Sequence, residues 1–187
     1  MNASTTILIG VTGSIAAYKT AEIVSRLVKT GYNVHVIMTR EATRLVGPLT
    51  FATLSRNAVT TDLFEEAVDW KPTHVSLADA ADLLVIAPAT ANIIAKLALG
   101  IADDALSSLA LACQAPMLIA PAMNGKMWQH PATQQNVATL KKRDTKFIGP
   151  EAGLLACGYE GLGRLWNIEG IIAAIECAVP CRKKRKA

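Results

Sequence analysis

The stretch Thr6-Ile7-Leu8-Ile9-Gly10-Val11-Thr12-Gly13-Ser14 decides the fold of this chain. Its first six residues form a short, continuous apolar run, the pattern of a strand that is buried on both faces of a parallel sheet. The run stops at a small turn, and apolar residues then recur at helical spacing up to Gly31. A second apolar strand, Asn33–Met38, follows. This strand–helix–strand opening predicts an α/β fold with a Rossmann-like, doubly wound parallel sheet in a three-layer α/β/α arrangement.

The turn after the first strand lacks the fingerprint of a dinucleotide site. NAD-binding folds need Gly-x-Gly-x-x-Gly here and an acidic residue at the end of the second strand. This chain has Gly10-Val11-Thr12-Gly13-Ser14, and its second strand ends in Met38-Thr39-Arg40. Ser14 is the predicted N-cap of the first helix, where a hydroxyl and backbone N–H groups can meet a phosphate. The pattern favours a mononucleotide phosphate over NAD, although Gly-Ser turns also begin many helices that bind nothing.

Two later strands end in the same way. The apolar run from Leu83 leads into Pro88-Ala89-Thr90-Ala91-Asn92, and the next one leads into Pro121-Ala122-Met123-Asn124. Ligands of open α/β sheets bind beyond the carboxyl ends of the strands, so we expect Thr90, Asn92 and Asn124 to converge on a ligand. The alternative is that proline and asparagine only mark strand-to-helix turns.

Length and composition predict one domain over residues 1–180. The chain has 187 residues, of which 51% are hydrophobic, enough for a core of its own. No run approaches the roughly 18–20 apolar residues of a membrane span. The amino terminus also lacks the basic region of a signal peptide, so we expect a cytoplasmic protein without membrane contact.

Positive charge is concentrated at the carboxyl end of the chain. Five of the 19 basic residues lie in Arg182-Lys183-Lys184-Arg185-Lys186, which leaves 14 against 15 acidic residues in the remaining chain. Without an excess of basic residues, the rest of the chain shows no charge pattern typical of nucleic-acid binding. We therefore expect no nucleic-acid partner. Residues 181–187 are predicted to be a solvated, disordered tail; contact with nucleic acid or anionic lipid is the alternative.

The cysteines give no metal pattern. Cys113, Cys157, Cys177 and Cys181 form no Cys-x-x-Cys pair, and no histidine lies at zinc-finger spacing, so we predict reduced thiols and no metal. Cys113 and Cys177 lie in apolar helical contexts and are predicted core residues. Cys157 lies instead within the glycine-rich segment 154–165.

That segment is too rich in glycine to form core. We predict a mobile flap at about 151–167 that carries the Cys157 thiol; the alternative is a plain surface loop with a chance cysteine. His74 lies at the start of a short helical segment, a place typical of a surface or capping histidine.

In sequence the chain resembles the homo-oligomeric flavin-containing cysteine decarboxylases over about residues 6–175. The specific element is Pro121-Ala122-Met123-Asn124-Gly125-Lys126-Met127-Trp128 with the downstream Ala156-Cys157-Gly158. Weaker pieces occur in the family's order: Gly13-Ser14-Ile15-Ala16-Ala17-Tyr18-Lys19, His74 and the Pro88–Asn92 turn.

The resemblance implies bound FMN within the single domain, and it assigns roles by position. The implied cofactor-binding residues are Gly13, Ser14, Thr39, Thr90, Ala91, Asn92, Ile93 and Ala122. The implied substrate-binding residues are Asn124, Met127, Ala156 and Gly158, and the implied catalytic residues are His74 and Cys157. Lys19 and Arg164 are both open as partners of the substrate phosphate.

The implied reaction is decarboxylation of 4′-phosphopantothenoylcysteine to 4′-phosphopantetheine in coenzyme A biosynthesis. It proceeds by oxidation to a thioaldehyde, loss of CO2 and re-reduction, because the cysteine carbanion otherwise lacks an electron sink. His74 would handle the thiol proton, Asn124 the carboxylate, and Cys157 the proton of the final reduction. The resemblance also implies a homo-oligomer, a trimer or dodecamer, with FMN near a subunit boundary and the ligase on another polypeptide.

Three alternatives remain from the sequence. A decarboxylase of peptide carboxy-terminal cysteines would stop at the enethiol and would not require Cys157. A non-catalytic flavin-binding regulatory subunit would need acidic extensions, whereas this tail is basic. A flavin prenyltransferase would lack the Asn-Met-Trp element. Two departures from the family pattern are Thr90, where serine is common, and Tyr159, where aspartate is common.

Overall fold

The central sheet is parallel, as the opening stretch predicts. The computed structural model of the protein describes residues 5–64, 73–154, 156, 158 and 160–179. Within them, six strands form the sheet: β1 (Thr6–Val11), β2 (Asn33–Met38), β3 (Val59–Thr60), β4 (Leu83–Ala89), β5 (Met117–Pro121) and β6 (Lys146–Phe147). The strand order is β3-β2-β1-β4-β5-β6, and every neighbouring pair in it is parallel.

Helices cover both faces of this sheet, which confirms the three-layer arrangement. The helices of the described chain are α1 (Ala17–Lys29), α2 (Arg40–Thr43), α3 (Pro48–Ser55), α4 (Thr73–Ala80), α5 (Ala91–Leu99), α6 (Ala105–Ala112), α7 (Gly125–Gln129), α8 (Pro131–Lys141) and α9 (Ile168–Ala178). One core joins α1, α3 and α9 to the sheet, and a second joins α4, α5, α6 and α8 to its other face. Both faces of a strand are therefore buried, which explains the continuous apolar runs.

The strand order places a topological switch point between β1 and β4. From β1 the chain moves outward through β2 and β3, and from β4 it moves the opposite way through β5 and β6. At such a point the crossovers diverge and leave a crevice at the carboxyl ends of the two central strands.

The hydroxyl group of Thr12 ties the two strands together at this point. It donates to the carbonyl oxygen of Pro88 at 2.7 Å and accepts from the backbone N–H of Thr90 at 3.1 Å. Thr20, on α1, donates in the same way to the carbonyl oxygen of Ala87 at 2.7 Å. Thr12 and Thr20 are buried, so these bonds are shielded from water.

The first helix begins later than the sequence predicts. Its N-cap is Ala16, without a side-chain cap bond, whereas the sequence predicts Ser14 as the cap. Ser14 lies in a tight turn in which its N–H donates to the carbonyl of Thr12 and its carbonyl accepts from Ala17. The other end agrees with the prediction, because Gly31 follows the C-cap with φ +96°.

The glycine-rich segment contains regular structure that its sequence pattern does not predict. Its described residues include an antiparallel pair, β7 (Glu151–Leu154) and β8 (Glu160–Arg164). Neither strand shows an apolar alternation, because this hairpin adds no face to the main core and depends on backbone pairing. Cys157, the centre of the predicted flap, lies outside the described residues.

The two described cysteines lie in different environments, and Cys113 packs against the second core, as predicted. Cys177 is exposed on α9, so its prediction as a core residue is wrong. Cys113 is half-buried, and burial raises the pKa of its thiol. The predicted tail, residues 181–187, lies outside the described part of the chain. No helix in the described ranges is both long enough and apolar enough to pass through a membrane.

Replacing Thr12 with valine tests the contact between β1 and β4. Valine keeps the shape of the side chain but leaves a buried carbonyl and a buried N–H without their bonds, so we expect a loss of about 2–4 kcal/mol of unfolding free energy. Urea denaturation measures this loss. The control is Thr53→Val on the exposed face of α3, expected to change stability by less than about 0.5 kcal/mol. Equal effects of the two substitutions would contradict the role given to Thr12.

Candidate functional site

A cavity of about 630 Å³ lies at the carboxyl ends of β1, β4 and β5. Its wall comes from the turn before α1 with the first turn of that helix, from the loops after β4 and β5, and from the β7–β8 hairpin. This is the crevice that the strand order predicts, and its volume is within the usual range of ligand sites.

The first wall is the turn at Gly13 and Ser14. A Cβ atom at Gly13 would lie 2.5 Å from Cβ of Glu41, so only glycine lets this turn pack against α2. Helix α1 has no acidic residue in its first turn, and Lys19 from that turn lines the cavity. The positive end of a helix and a nearby ammonium group together attract an anion.

The second wall consists of the two strand-end loops. Thr90 caps α5, and its hydroxyl accepts from the N–H of Ile93 at 3.4 Å. Asn124 caps α7, and its side-chain oxygen accepts from the N–H of Lys126 at 2.9 Å. Both residues line the cavity, so the fold brings these two of the three predicted polar residues together at one place.

The hairpin forms the third wall and is fixed to the loop after β5. The N–H of Met123 donates to the carbonyl oxygen of Gly163 at 2.9 Å. A Cβ atom at Gly163 would collide with the carbonyl oxygen of Met123, so glycine is required for this close approach. The contact brings Leu154, Ala156 and Arg164 to the cavity.

The cavity is cationic. Lys19 and Arg164 line it, and no carboxylate lies among the lining residues that the structure describes. Nε of Arg164 lies 3.1 Å from Oε1 of Glu151, which stands just outside the cavity. The remaining wall is largely apolar and includes Ala122 and Met127. Such a site suits a ligand with an anionic group and an apolar ring, because the cationic side chains bind the anionic group and the apolar wall packs against the ring.

The comparison with protein families gives one decisive match. The Flavoprotein family matches residues 1–179, which is nearly the whole chain. The chain belongs to the Flavoprotein family.

Curated relatives of this flavoprotein are of two lengths. It is 46% identical over 172 residues to "Probable phosphopantothenoylcysteine decarboxylase" of Streptococcus mutans, covering 91% of this chain and 96% of that protein. It is 51% identical over 170 residues to "Coenzyme A biosynthesis bifunctional protein CoaBC" of Bacillus subtilis, covering 91% of this chain. The match spans only 42% of the length of the bifunctional protein.

Solved structures share the fold of this flavoprotein. A cysteine-to-serine mutant of PPC decarboxylase, complexed with pantothenoylaminoethenethiol, is similar with a TM-score of 0.85 at 26% identity. The similarity covers 94% of this chain and 98% of that chain. The FMN-dependent cysteine decarboxylase SpaF is similar with a TM-score of 0.79 at 34% identity, again over 94% and 98% of the two chains.

The residues of the cavity fit a flavin. Its apolar wall offers packing for a ring system, and the α1 terminus with Ser14 and Lys19 offers N–H, hydroxyl and ammonium donors for a phosphate. No group of three or more histidine, cysteine, aspartate or glutamate side chains within the described ranges is placed to hold a metal ion.

Half of the residues predicted from the sequence line this cavity. They are Gly13, Ser14, Thr90, Ala122, Asn124, Met127 and Ala156. Lys19 and Arg164, which the sequence leaves open as phosphate partners, line it too.

The other predicted cofactor residues do not line the cavity. The side chain of Ile93 is 1% exposed and belongs to the core, so only its backbone N–H is near the site, through Thr90. Thr39 is buried at the end of β2, where its hydroxyl accepts from the N–H of Ala42. Ala91 is half-buried in the first turn of α5, and Asn92 is exposed there, contrary to its predicted convergence with Thr90.

Two further predicted residues lie elsewhere on the described surface. His74 is half-buried in the first turn of α4 and does not line the cavity. Gly158 is exposed in the hairpin connection with φ +87°, and a Cβ atom at this position would have no neighbour within 4 Å.

The apolar rim of the cavity is not among the residues predicted from the sequence. Ile15 and Tyr18 line the cavity although their side chains are 60% and 62% exposed, and Leu154 does so at 66%. Ile15 and Tyr18 belong to the motif that starts at Gly13, so their position in that motif was the available signal.

Proposed function

We propose that this flavoprotein decarboxylates 4′-phosphopantothenoylcysteine to 4′-phosphopantetheine, a step of coenzyme A biosynthesis, with FMN as its cofactor. The observation that carries the proposal is one cavity that joins the Gly13-Ser14 turn, Asn124 with Met127, and Ala156 of the hairpin. The name of the Streptococcus mutans relative, of nearly the same length, supports it. We place this activity in a single domain over residues 1–180 and in the cytoplasm.

FMN is proposed over NAD because of the first turn. The second strand ends in Thr39 and Arg40 and supplies no carboxylate for a ribose hydroxyl. Ser14, Lys19 and the start of α1 would hold the phosphate, and Thr90 and Ala122 would lie against the rest of the flavin. When bound, FMN supplies reversible hydride transfer at the substrate carbon that carries the thiol.

Asn124 is proposed to hold the substrate carboxylate. Its side-chain oxygen is already oriented by the N–H of Lys126, which fixes the amide plane at the cavity wall. A neutral amide orients the carboxylate without a tight ion pair, which would stabilise the ground state and oppose the loss of CO2. Met127 supplies an apolar contact beside it.

Two side chains are proposed to move protons. The thiol of the substrate loses its proton to His74 as its carbon is oxidised to the thioaldehyde. Loss of CO2 then leaves an enethiolate. When hydride returns to this enethiolate, Cys157 supplies the proton. The related PPC decarboxylase mutant, in which a cysteine is serine, is complexed with an enethiol, which supports this role for the cysteine.

His74 requires a second chain in this scheme. It does not line the cavity of its own subunit, whereas the rim of that cavity exposes Ile15, Tyr18 and Leu154. Adjacent exposed apolar side chains of this size are typical of a surface that another chain covers. We therefore propose a homo-oligomer, a trimer or dodecamer, in which His74 of the partner subunit completes the site.

The reaction itself tests the proposed function. Purified protein mixed with 4′-phosphopantothenoylcysteine under air should release CO2 and form 4′-phosphopantetheine, as followed by mass spectrometry. Cys157→Ser should still release CO2 but yield the enethiol, which is two hydrogens lighter. The control Cys177→Ser, on the exposed face of α9, should match the unaltered protein.

No turnover by FMN-loaded protein would contradict the proposed substrate. Release of CO2 from a peptide with a carboxy-terminal cysteine, and not from the pantothenoyl substrate, would favour the peptide decarboxylase. A fully reduced product from Cys157→Ser would contradict the role of the thiol.

Mixed oligomers test the partner's His74. His74→Asn and Asn124→Ala subunits, each inactive alone, are co-expressed with different affinity tags and purified through both. If the two residues meet across a boundary, every mixed trimer has one of its three sites with both intact residues, so about a third of the unaltered activity should return, and about a quarter for a randomly mixed dodecamer. Two differently tagged His74→Asn chains provide the control and should stay inactive. Absence of recovery in the mixed oligomer would place both residues in one subunit.

A further inference from the structure

The cavity holds cationic groups on two different walls. Lys19 lies in the first turn of α1, beside the Gly13-Ser14 turn, whereas Arg164 ends strand β8 of the hairpin. The proposed reaction brings two phosphate groups to this site, one on the cofactor and one on the substrate. Lys19 shares its wall with the Ser14 hydroxyl and a helix terminus, a complete set of donors for the cofactor phosphate.

Arg164 is held in place by the strand opposite. Glu151 is its direct partner in the antiparallel register, and Nε of Arg164 lies 3.1 Å from Oε1 of Glu151. The Glu151 side chain is 23% exposed and the Arg164 side chain 46%, so the guanidinium reaches from a shielded carboxylate toward solvent and the cavity. The contact with Glu151 uses Nε, on one edge of the guanidinium. The two Nη groups form a separate pair of hydrogen-bond donors.

The absence of a side chain at Gly153 leaves room for the side chain of Arg164 to cross the hairpin. A Cβ atom at Gly153 would lie 3.1 Å from Nη1 of Arg164 and 3.4 Å from its Cδ. The guanidinium therefore rests against the backbone of β7, in space that any larger residue would reduce. An arginine oriented in this way loses less conformational freedom on binding a ligand than a free surface arginine does.

From this geometry we infer that Arg164 is a specificity-determining residue that binds the terminal phosphate of the substrate, with Glu151 as its positioning residue. The inference rests on the proposed function and deepens it. The ion pair with Glu151 does not by itself explain an arginine at position 164, because partly exposed ion pairs stabilise proteins by about 1 kcal/mol or less. A bidentate contact between guanidinium and phosphate gives such a reason, since it selects phosphorylated substrates over a peptide cysteine.

The test compares 4′-phosphopantothenoylcysteine with pantothenoylcysteine, which lacks the phosphate. For Arg164→Gln we expect kcat/KM on the phosphorylated substrate to fall about 10- to 100-fold, mainly through KM, as a lost charge-assisted contact predicts. The unphosphorylated substrate should be affected far less, so that the preference for phosphate largely disappears. FMN content, read from flavin absorbance, should stay unchanged.

Matched variants separate phosphate binding from hairpin structure. Glu151→Gln removes the same ion pair but keeps the guanidinium, so the preference for phosphate should persist, reduced by about 3-fold at most. Lys19→Gln should instead weaken FMN binding. Arg44→Gln, an exposed residue that does not line the cavity, should leave both rates and FMN content unchanged.

A binding experiment keeps the inference testable apart from turnover. Calorimetry should show that 4′-phosphopantetheine binds the FMN-loaded protein at least about 10-fold more tightly than pantetheine, and that Arg164→Gln removes this difference. Absence of turnover with this difference intact would contradict the proposed function and support the phosphate contact. Equal affinity of the two ligands for the unaltered protein, or an equal loss of affinity for both ligands in Arg164→Gln, would overturn the inference. So would a Glu151→Gln variant that loses the difference between the ligands as completely as Arg164→Gln does.

Discussion

The hydroxyl of Thr12 joins β1 to β4 at the switch point of the sheet, and the geometry of the site depends on this contact. It bonds to the carbonyl of Pro88 and to the N–H of Thr90, so the carboxyl ends of β1 and β4 are fixed to one another where the two halves of the sheet diverge. The first turn of α1 and the Thr90 cap of α5 are consequently held on either side of one crevice. Switch points of α/β sheets bind ligands for this reason, and the buried threonine makes this one rigid.

A second constraint is the backbone bond between Met123 and Gly163. It attaches the hairpin to the loop after β5, and the absence of a side chain at Gly163 permits the close approach. The hairpin adds little to either core, yet it brings Ala156 and Arg164 to the cavity. In the proposed function the sheet therefore provides the flavin site, while the hairpin provides contacts to the substrate.

Much of this arrangement could be predicted from the sequence. Continuous apolar runs identify the buried strands, and Thr90 and Asn124 follow two of them, so their meeting at one sheet edge follows from parallel topology. The hairpin could not be predicted in this way, because its strands bury no face and have no apolar alternation. Ile93 shows a different limit: its motif position points to the cofactor, but periodicity on α5 turns its side chain into the core. His74 shows a third limit: its place in the order of motifs points to the site, but the fold of the single chain leaves it outside the cavity.

The central claim is that the switch-point cavity binds the flavin. A crystal structure of the protein with FMN tests it most directly. The account predicts that the flavin phosphate lies at Gly13 and Ser14 beside the start of α1, with the ring system between the strand-end loops and the hairpin. Flavin density at another edge of the sheet, with this cavity closed by side chains, would contradict it.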